Sequence, residues 1–431
     1  MVEHVKTDTD RARSATPPGA VTSAATVRGP RRLRRFAALA VAAMTLAATP
    51  AWAQVKFGAL FPFSGDMALL GEESFRGLEL AVKEVNANGG VKGEQIVLVR
   101  GDAVDTNQAI GEARRLISVD GVKAIFGTYA SSRSLPASQV AELAGIPYFE
   151  LGAASAQVTE RGFNYLFRTS PTGVNMGEVA VNFLEKGIIP ALGANAKDLK
   201  LVILHEDSSY GTTAAKSIEQ YAKQAGLNVI DSQPYSTGTL DMSPVILRLK
   251  EQGADAVIHI SSSNSDPILF LRQAHEMNFK PKAIIGCGSA YSSTATEQAV
   301  GPDVMNGVFG VDLPQLTASP TWAKGIDKFA AAYKAAYGTP PISGNSLNNY
   351  AGAMAILGAI NGAKSFEPDA IVAAVGKIDI PEGNTAAGYG VKFDAKHQNE
   401  SAQMTGLEWQ HGKLQTVYPA AAATAKILLG E

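Results

Sequence analysis

Cysteine is almost missing from this chain: Cys287 is the only one among 431 residues. A lone thiol cannot close an internal disulfide, and no CxxC pair is present to hold zinc or run redox chemistry. Cys287 therefore reads as a small buried hydrophobe. A charge excess of one sign is missing as well. Lysine and arginine total 38 against 40 acidic residues, a formal net charge of −2, and several of the arginines (Arg28, Arg31, Arg32, Arg34, Arg35) crowd near the N-terminus. No broad basic face is left to hold a polyanion, so nucleic acid is not an expected partner. The signatures of common enzymes are absent too: there is no GxxxxGK[ST] phosphate loop and no GxSxG nucleophile elbow. The nearest approach to a dinucleotide loop, Gly286-Cys287-Gly288-Ser289-Ala290-Tyr291, lacks the last glycine. Six histidines include no pair at metal-ligand spacing. His205-Glu206-Asp207 places adjacent side chains on different faces and reads as a solvated strand end. These absences lead us to expect no catalytic group, no cofactor and no metal.

What is present begins with a leader. Arg31-Arg32-Leu33-Arg34-Arg35 is followed by the apolar run 36–48, then Thr49, Pro50 and Ala51-Trp52-Ala53. A charged head, a short apolar stretch and a small-x-small site make a cleavable export signal over residues 31–53, with the cut expected after Ala53. The apolar run is too short for a comfortable membrane span. No cysteine follows it to carry a lipid anchor, so the product is expected free in the periplasm. Residues 1–30, rich in Thr, Ala, Ser and Pro, read as a disordered extension.

From residue 54 onward, short β-branched and aromatic runs alternate with helical stretches. Strands are expected at 55–61, 95–99, 123–126, 147–151, 201–204, 228–230, 256–260, 282–285 and 307–311. Helices are expected at 72–88, 108–119, 135–143, 174–186, 213–225, 244–251 and 267–277. Such alternation calls for α/β architecture, with parallel sheets covered by helices on both faces. After Pro314 the chain turns more helical (322–337, 347–361, 369–375), and the last strands fall at 405–409 and 416–418. The length suits two domains with large cores. No low-complexity linker separates two halves, which implies several crossings between them.

Three small-polar loops follow strands: Gly127-Thr128-Tyr129-Ala130-Ser131-Ser132, Gly152-Ala153-Ala154-Ser155 and Ser261-Ser262-Ser263-Asn264. In open parallel sheets ligands sit beyond the carboxyl ends of strands, where loop amides and helix N-termini favour anions. Any one such loop could be an ordinary helix cap; three together suggest a cleft.

Specific runs carry a family resemblance over nearly all of residues 54–431. They include Phe63-Ser64-Gly65, Asn86-Ala87-Asn88-Gly89-Gly90-Val91-Lys92-Gly93, Leu166-Phe167-Arg168-Thr169, Tyr210-Gly211 and Phe270-Leu271-Arg272-Gln273-Ala274. In these the chain resembles the type I periplasmic binding proteins, in the leucine/isoleucine/valine-binding branch. The resemblance implies two Rossmann-like lobes joined by three crossovers, near 169–171, 312–314 and 388–393. One lobe would hold 54–170 plus 313–387 and the other 171–312 plus 388–431. It also implies the hinge closure general to periplasmic binding proteins. By the same resemblance, Ser131 and the Gly152-Ala153-Ala154 loop would grip a ligand carboxylate, with Ser132 and Tyr129 beside them. Leu70 would line the apolar side, and Tyr210 and Ser263 or Asn264 would face it from the second lobe; Tyr291 or Tyr129 is a further candidate for the pocket lining. Gly288 falls where amino-acid-binding relatives often carry a glutamate for the ligand ammonium. Either the ligand lacks an amine, as an aromatic or aliphatic acid or an amide does, or a carboxylate such as Glu150 or Asp207 replaces the missing one.

The expected function is capture of a small amino acid, carboxylic acid or amide for an ABC importer. The expected partner is the importer's inner-membrane permease, and the chain is expected to act as a monomer. The alternatives are presentation of the ligand to a periplasmic sensor or chemoreceptor, and an enzyme on a doubly wound fold.

Overall fold

The computed structural model describes Ala24, Ala25 and residues 53–431. The expected extension and leader therefore lie outside the described residues, apart from Ala24, Ala25 and Ala53. Two sheets organise the rest.

The first sheet contains β1 (Gln54–Phe61), β2 (Gln95–Asp102), β3 (Ile125–Gly127), β4 (Tyr148–Glu150) and β5 (Leu166–Arg168), in the order β2-β1-β3-β4-β5. All four pairings are parallel. Its helices include α1 (Ala68–Ala87), α2 (Thr106–Ser118) and α3 (Ser131–Leu143). Four phenylalanines line one face on neighbouring strands. Phe57 and Phe126 lie 5.7 Å apart, Phe126 and Phe149 5.1 Å, and Phe149 and Phe167 6.4 Å, all tilted or edge-on. Rings in these orientations add contact energy beyond the area they bury.

The second lobe begins with α4 (Gly173–Phe183) and contains β6 (Leu201–Glu206), α5 (Ser209–Ala225), β7 (Val229–Tyr235) and α6 (Ser243–Gln252). Then follow β8 (Ala256–Ile260), α7 (Ser265–Glu276), β9 (Ala283–Cys287), α8 (Thr294–Val300) and β10 (Phe309–Asp312). Alternation along β6 sends Leu201 and Ile203 into one core and Val202 and Leu204 into another. That is the mark of a sheet covered on both faces. Cys287 is fully buried, in keeping with its reading as a hydrophobe.

After β10 the chain returns to the first lobe as α9 (Ile326–Tyr337), α10 (Asn345–Gly362) and α11 (Pro368–Val375). There α10 packs along α1. Next come the short pair β11 (Asp379–Ile380) and β12 (Val391–Lys392), which the sequence reading did not resolve. Finally β13 (Thr405–Gln410) and β14 (Lys413–Tyr418) extend the second sheet antiparallel, giving the order β14-β13-β10-β9-β8-β6-β7.

The lobes are thus joined by three passages, but the third runs later than 388–393. Residues 391–399 stay with the first lobe. Arg168 donates its amide to the His397 carbonyl (3.0 Å) and accepts from the Asn399 amide (2.9 Å). The His397 ring stacks on Phe167 at 4.0 Å. The chain crosses only between Asn399 and Thr405.

One glycine is required by the close approach of α1 to α10. A Cβ on Gly77 would lie 2.1 Å from the Ser346 carbonyl oxygen, whereas one on exposed Gly111 of α2 would meet nothing within 4 Å. Gly→Ala in a helix ordinarily stabilises by about 1 kcal/mol. Gly111→Ala should therefore raise the urea midpoint. Gly77→Ala should lower it by an amount equivalent to about 1–3 kcal/mol, the usual cost of overpacking.

Candidate ligand site between the lobes

The strands' carboxyl ends from both sheets meet at one cavity, a placement typical of ligand sites in open parallel sheets. From the first lobe it is lined by Tyr129, Ala130 and Ser131 after β3, by Gly152 and Ala154 after β4, and by Asn345 at the start of α10. From the second come Met176, Tyr210, Ser261, Ser262, Gly288, Ser289 and Asp312. Pro171, Leu313 and Met404, one on each passage between the lobes, complete the wall. The lobes touch around it. Tyr129 Oη donates to the Ser262 carbonyl (3.0 Å), the Ser155 and Thr213 hydroxyls share a hydrogen bond (3.1 Å), and Asn264 Nδ2 donates to the Asp66 carbonyl.

The loops of the first lobe are shaped by Glu150. Its carboxylate is fully buried and accepts from the amides of Thr128, Gly152 and Ala153, each at 2.8 Å, and from Ser134 Oγ at 2.5 Å. Burial raises its pKa from the ordinary carboxylate value while those donors pull it down. On the far side of the same loop, the fully buried Arg168 donates to the carbonyls of Ala153 (2.9 Å) and Ser155 (2.6 Å). Burial lowers that guanidinium to about 10. One loop is thus held by an anion through its amides and by a cation through its carbonyls.

This arrangement decides which donors face the cavity. The Gly152 and Ala153 amides are spent on Glu150 and are not free for a ligand, although Gly152 still lines the space. Ser131 Oγ accepts from the Ser155 amide at 2.9 Å, which leaves its own proton for an acceptor in the cavity. The Ala154 amide has no acceptor among the described residues. Ser131 and Ser132 open α3, and amides in the first turn of a helix lack intrahelical partners.

Of the residues the sequence singled out, Tyr129, Ser131, Gly152, Ala154, Tyr210 and Gly288 come together at the cavity. Six do not line it, for identifiable reasons. Leu70 is wholly buried behind Tyr129, among Met67, Ala130 and Ala290. Ser132 Oγ accepts from Arg133, and Ala153 is turned into the lobe by its two backbone bonds. Ser263 bonds the Asp266 side chain and amide at the start of α7. Asn264 sits on the rim, bonded to Asp66. Tyr291 lies under the sheet against Gly286, its carbonyl accepting from Trp409 Nε1 at 2.8 Å.

Other expectations need correction as well. His205 and Glu206 are buried, so the end of β6 is not a solvated terminus. Glu206 binds the Ser262 amide (2.7 Å) beside the cavity. Neither carboxylate suggested as a substitute at Gly288 serves there: Glu150 is occupied by loop amides, and exposed Asp207 bonds Thr237. The carboxylate that does line the cavity is Asp312, at the end of β10. It carried no motif signal; only its place at a strand end before Pro314 set it apart. Among the described residues no cluster of metal-ligating side chains occurs, and no helix is long and apolar enough to cross a membrane.

Replacing Glu150 by glutamine keeps its volume but turns an NH₂ group toward amides that can only donate. Glu150→Gln should destabilise the fold by about 1–3 kcal/mol, the cost of unsatisfied buried polar groups. Urea unfolding checks it, and an unchanged midpoint would show that the loop does not depend on the carboxylate.

Comparison with known proteins agrees with the geometry. Residues 54–413 match the family model described as periplasmic binding protein. Over 396 residues the chain is 57% identical to a Leu/Ile/Val-binding protein homolog 8 from Brucella suis, covering 92% of this chain and 98% of that protein. It is 52% identical to homolog 7 from the same organism, covering 92% and 99%. Among solved structures, the branched-chain amino acid transporter substrate-binding protein LivJ of Streptococcus pneumoniae, in complex with isoleucine, superimposes with a TM-score of 0.73. That match is 23% identical and covers 86% of this chain and 99% of that one. The leucine-binding protein LivK of Thermotoga maritima gives 0.73 at 21% identity, covering 84% and 97%. The chain belongs to the type I periplasmic binding proteins, in the leucine/isoleucine/valine-binding branch.

Proposed function

We propose that this protein is the ligand-capturing component of an ABC importer. It closes its two lobes by hinge motion around a small amino acid, carboxylic acid or amide and hands it to a permease in the inner membrane. The observation that carries this reading is the convergence of unspent donors on a cavity walled by both lobes. The Ser131 hydroxyl and the Ala154 amide meet the first turn of α3 there, under contacts that span the lobes. Donors of that kind suit a carboxylate or an amide carbonyl. Relatives are named for leucine, isoleucine and valine, and two structural neighbours for isoleucine and leucine.

The lobes in this proposal comprise 54–170 plus 313–399 and 171–312 plus 400–431. The third boundary is moved from 387/388 because residues 391–399 bond and stack on β5. The passages at Thr169–Thr172, at Asp312–Pro314 and between Asn399 and Thr405 are the hinge. Residues 31–53 act as a cleaved export leader, releasing a monomer into the periplasm. In this reading the protein binds without turnover, supported by relatives that are named as binding proteins.

A thermal-shift screen against amino acids, aliphatic and aromatic acids and amides tests the reading. Ligand at ~1,000 times its dissociation constant stabilises by about 4 kcal/mol, a shift of several degrees. No shift with any class would overturn capture. For a ligand found this way, Ser131→Ala should weaken binding by about 1–3 kcal/mol in calorimetry; unchanged affinity would remove Ser131 from the site.

A further inference from the structure

The cavity has one donor-rich pole and one acidic pole, and the acidic pole has no counter-charge in the protein. Asp312 is 2% exposed at the end of β10 and lines the cavity. Among the described residues the groups that donate to it are all neutral: Ser289 Oγ at 3.0 Å, Ser292 Oγ, Gln315 Nε2 at 3.2 Å and the Leu313 amide. No lysine, arginine or histidine pairs with it among the described residues. The other titratable groups that face it are Tyr129 from the loop before α3, Tyr210 from α5 and Cys287 from the end of β9. All three are acids that burial keeps neutral. Glu206 adds a second carboxylate acting on Tyr129, while Arg133 and Asp66 act on Tyr129 from the rim. A buried charge without a partner costs several kcal/mol, so a site that keeps one is matched to a ligand that brings the opposite charge.

We propose that Asp312 is the counter-charge for an ammonium group on the ligand, so that the cavity selects amino acids over the same acids without the amine. This deepens the reading above and rests on it. A side chain on Gly288 could not do the work in this backbone. Gly288 has φ of 128°, and a Cβ there would lie 2.1 Å from the Ser261 carbonyl oxygen. A glutamate at that position would be strained and would clash with β8's exit loop, and the neighbouring strand supplies the carboxylate instead. Because Asp312 stands where the chain leaves the second lobe, an ammonium bound to it would also tie the ligand to the passage at Asp312–Pro314.

The pH dependence follows from burial, which pushes the Asp312 carboxyl up to about 6. A raised pKa means the folded, empty protein favours the protonated acid. Its stability penalty is absent below the ordinary value of 3.8, grows as pH rises from there toward about 6, and is complete above that. An ammonium ligand prefers the ionised form, so its affinity falls as pH drops below about 6.

Calorimetry on the purified protein with matched pairs tests this, each amino acid beside its des-amino acid, for example L-leucine beside 4-methylpentanoate. Wild type should bind at least one amino acid at least about thirtyfold tighter than its des-amino partner. That preference should shrink below pH 6. Asp312→Asn should lose at least about thirtyfold on the amino acid and little on the acid, and in the empty state at pH 7.5 it should melt no lower than wild type. A wild type that binds des-amino acids as tightly as amino acids overturns the proposal while leaving capture intact, and this readout needs no variant. Asp312→Asn with undiminished amino-acid affinity overturns it too. Failure of every member of every pair to bind would sink the capture reading, and this inference with it.

Discussion

A buried carboxylate with no salt-bridge partner among the described residues shapes the ligand side of the first lobe. Glu150 draws the amides of Thr128, Gly152 and Ala153 inward, and this fixes the path of both loops that follow β3 and β4. Arg168 holds the second loop from its carbonyl side and reaches Gln398 through Nε at 2.6 Å. Gln398 Nε2 in turn donates to the Ser170 carbonyl (2.9 Å) on the first passage between the lobes. The ligand loop and the first passage are therefore parts of one hydrogen-bonded unit. A buried polar network of this kind is rigid, because in a low-dielectric interior each broken bond costs more than it would in water.

That rigidity explains the division of labour across the cavity. The first lobe offers donors whose directions are set by Glu150, so its pole suits oxygen acceptors. The second lobe offers carbonyls, hydroxyls and Asp312. Its tyrosine, Tyr210, is held by the Cys287 carbonyl at 3.1 Å and presents its ring to the space. Tyr129, Tyr210, Met176 and Met404 are among the large side chains that line the cavity. Methionine adapts its shape readily and tyrosine covers area with little loss of entropy.

Much of the architecture was legible along the chain, because its elements announce themselves locally. The strand 256–260 is found at the bounds its β-branched run suggested, and Gly226 ends α5 with φ of 68° as a left-handed cap. Elements that depend on partners were less visible. β5 is three residues long, and β11 and β12 two each; such short segments have no period to read and exist only because neighbouring strands complete their hydrogen bonds. The third passage was misplaced for the same reason: residues 391–399 join the first lobe through β5, which lies more than 200 positions earlier.

The sequence by itself determined the fold class, the family and the loops that form the cavity, because hydrophobic alternation and loop composition are local properties. Tertiary structure alone decided which atoms of those loops face the ligand. Glu150 and Asp312 are both acids at the last position of a strand, and nothing local separates them. Packing surrounds one with loop amides and sets the other, with its serine and glutamine donors, in the wall of the cavity. Burial raises the carboxyl pKa of both, but only the second faces the space that a ligand would fill.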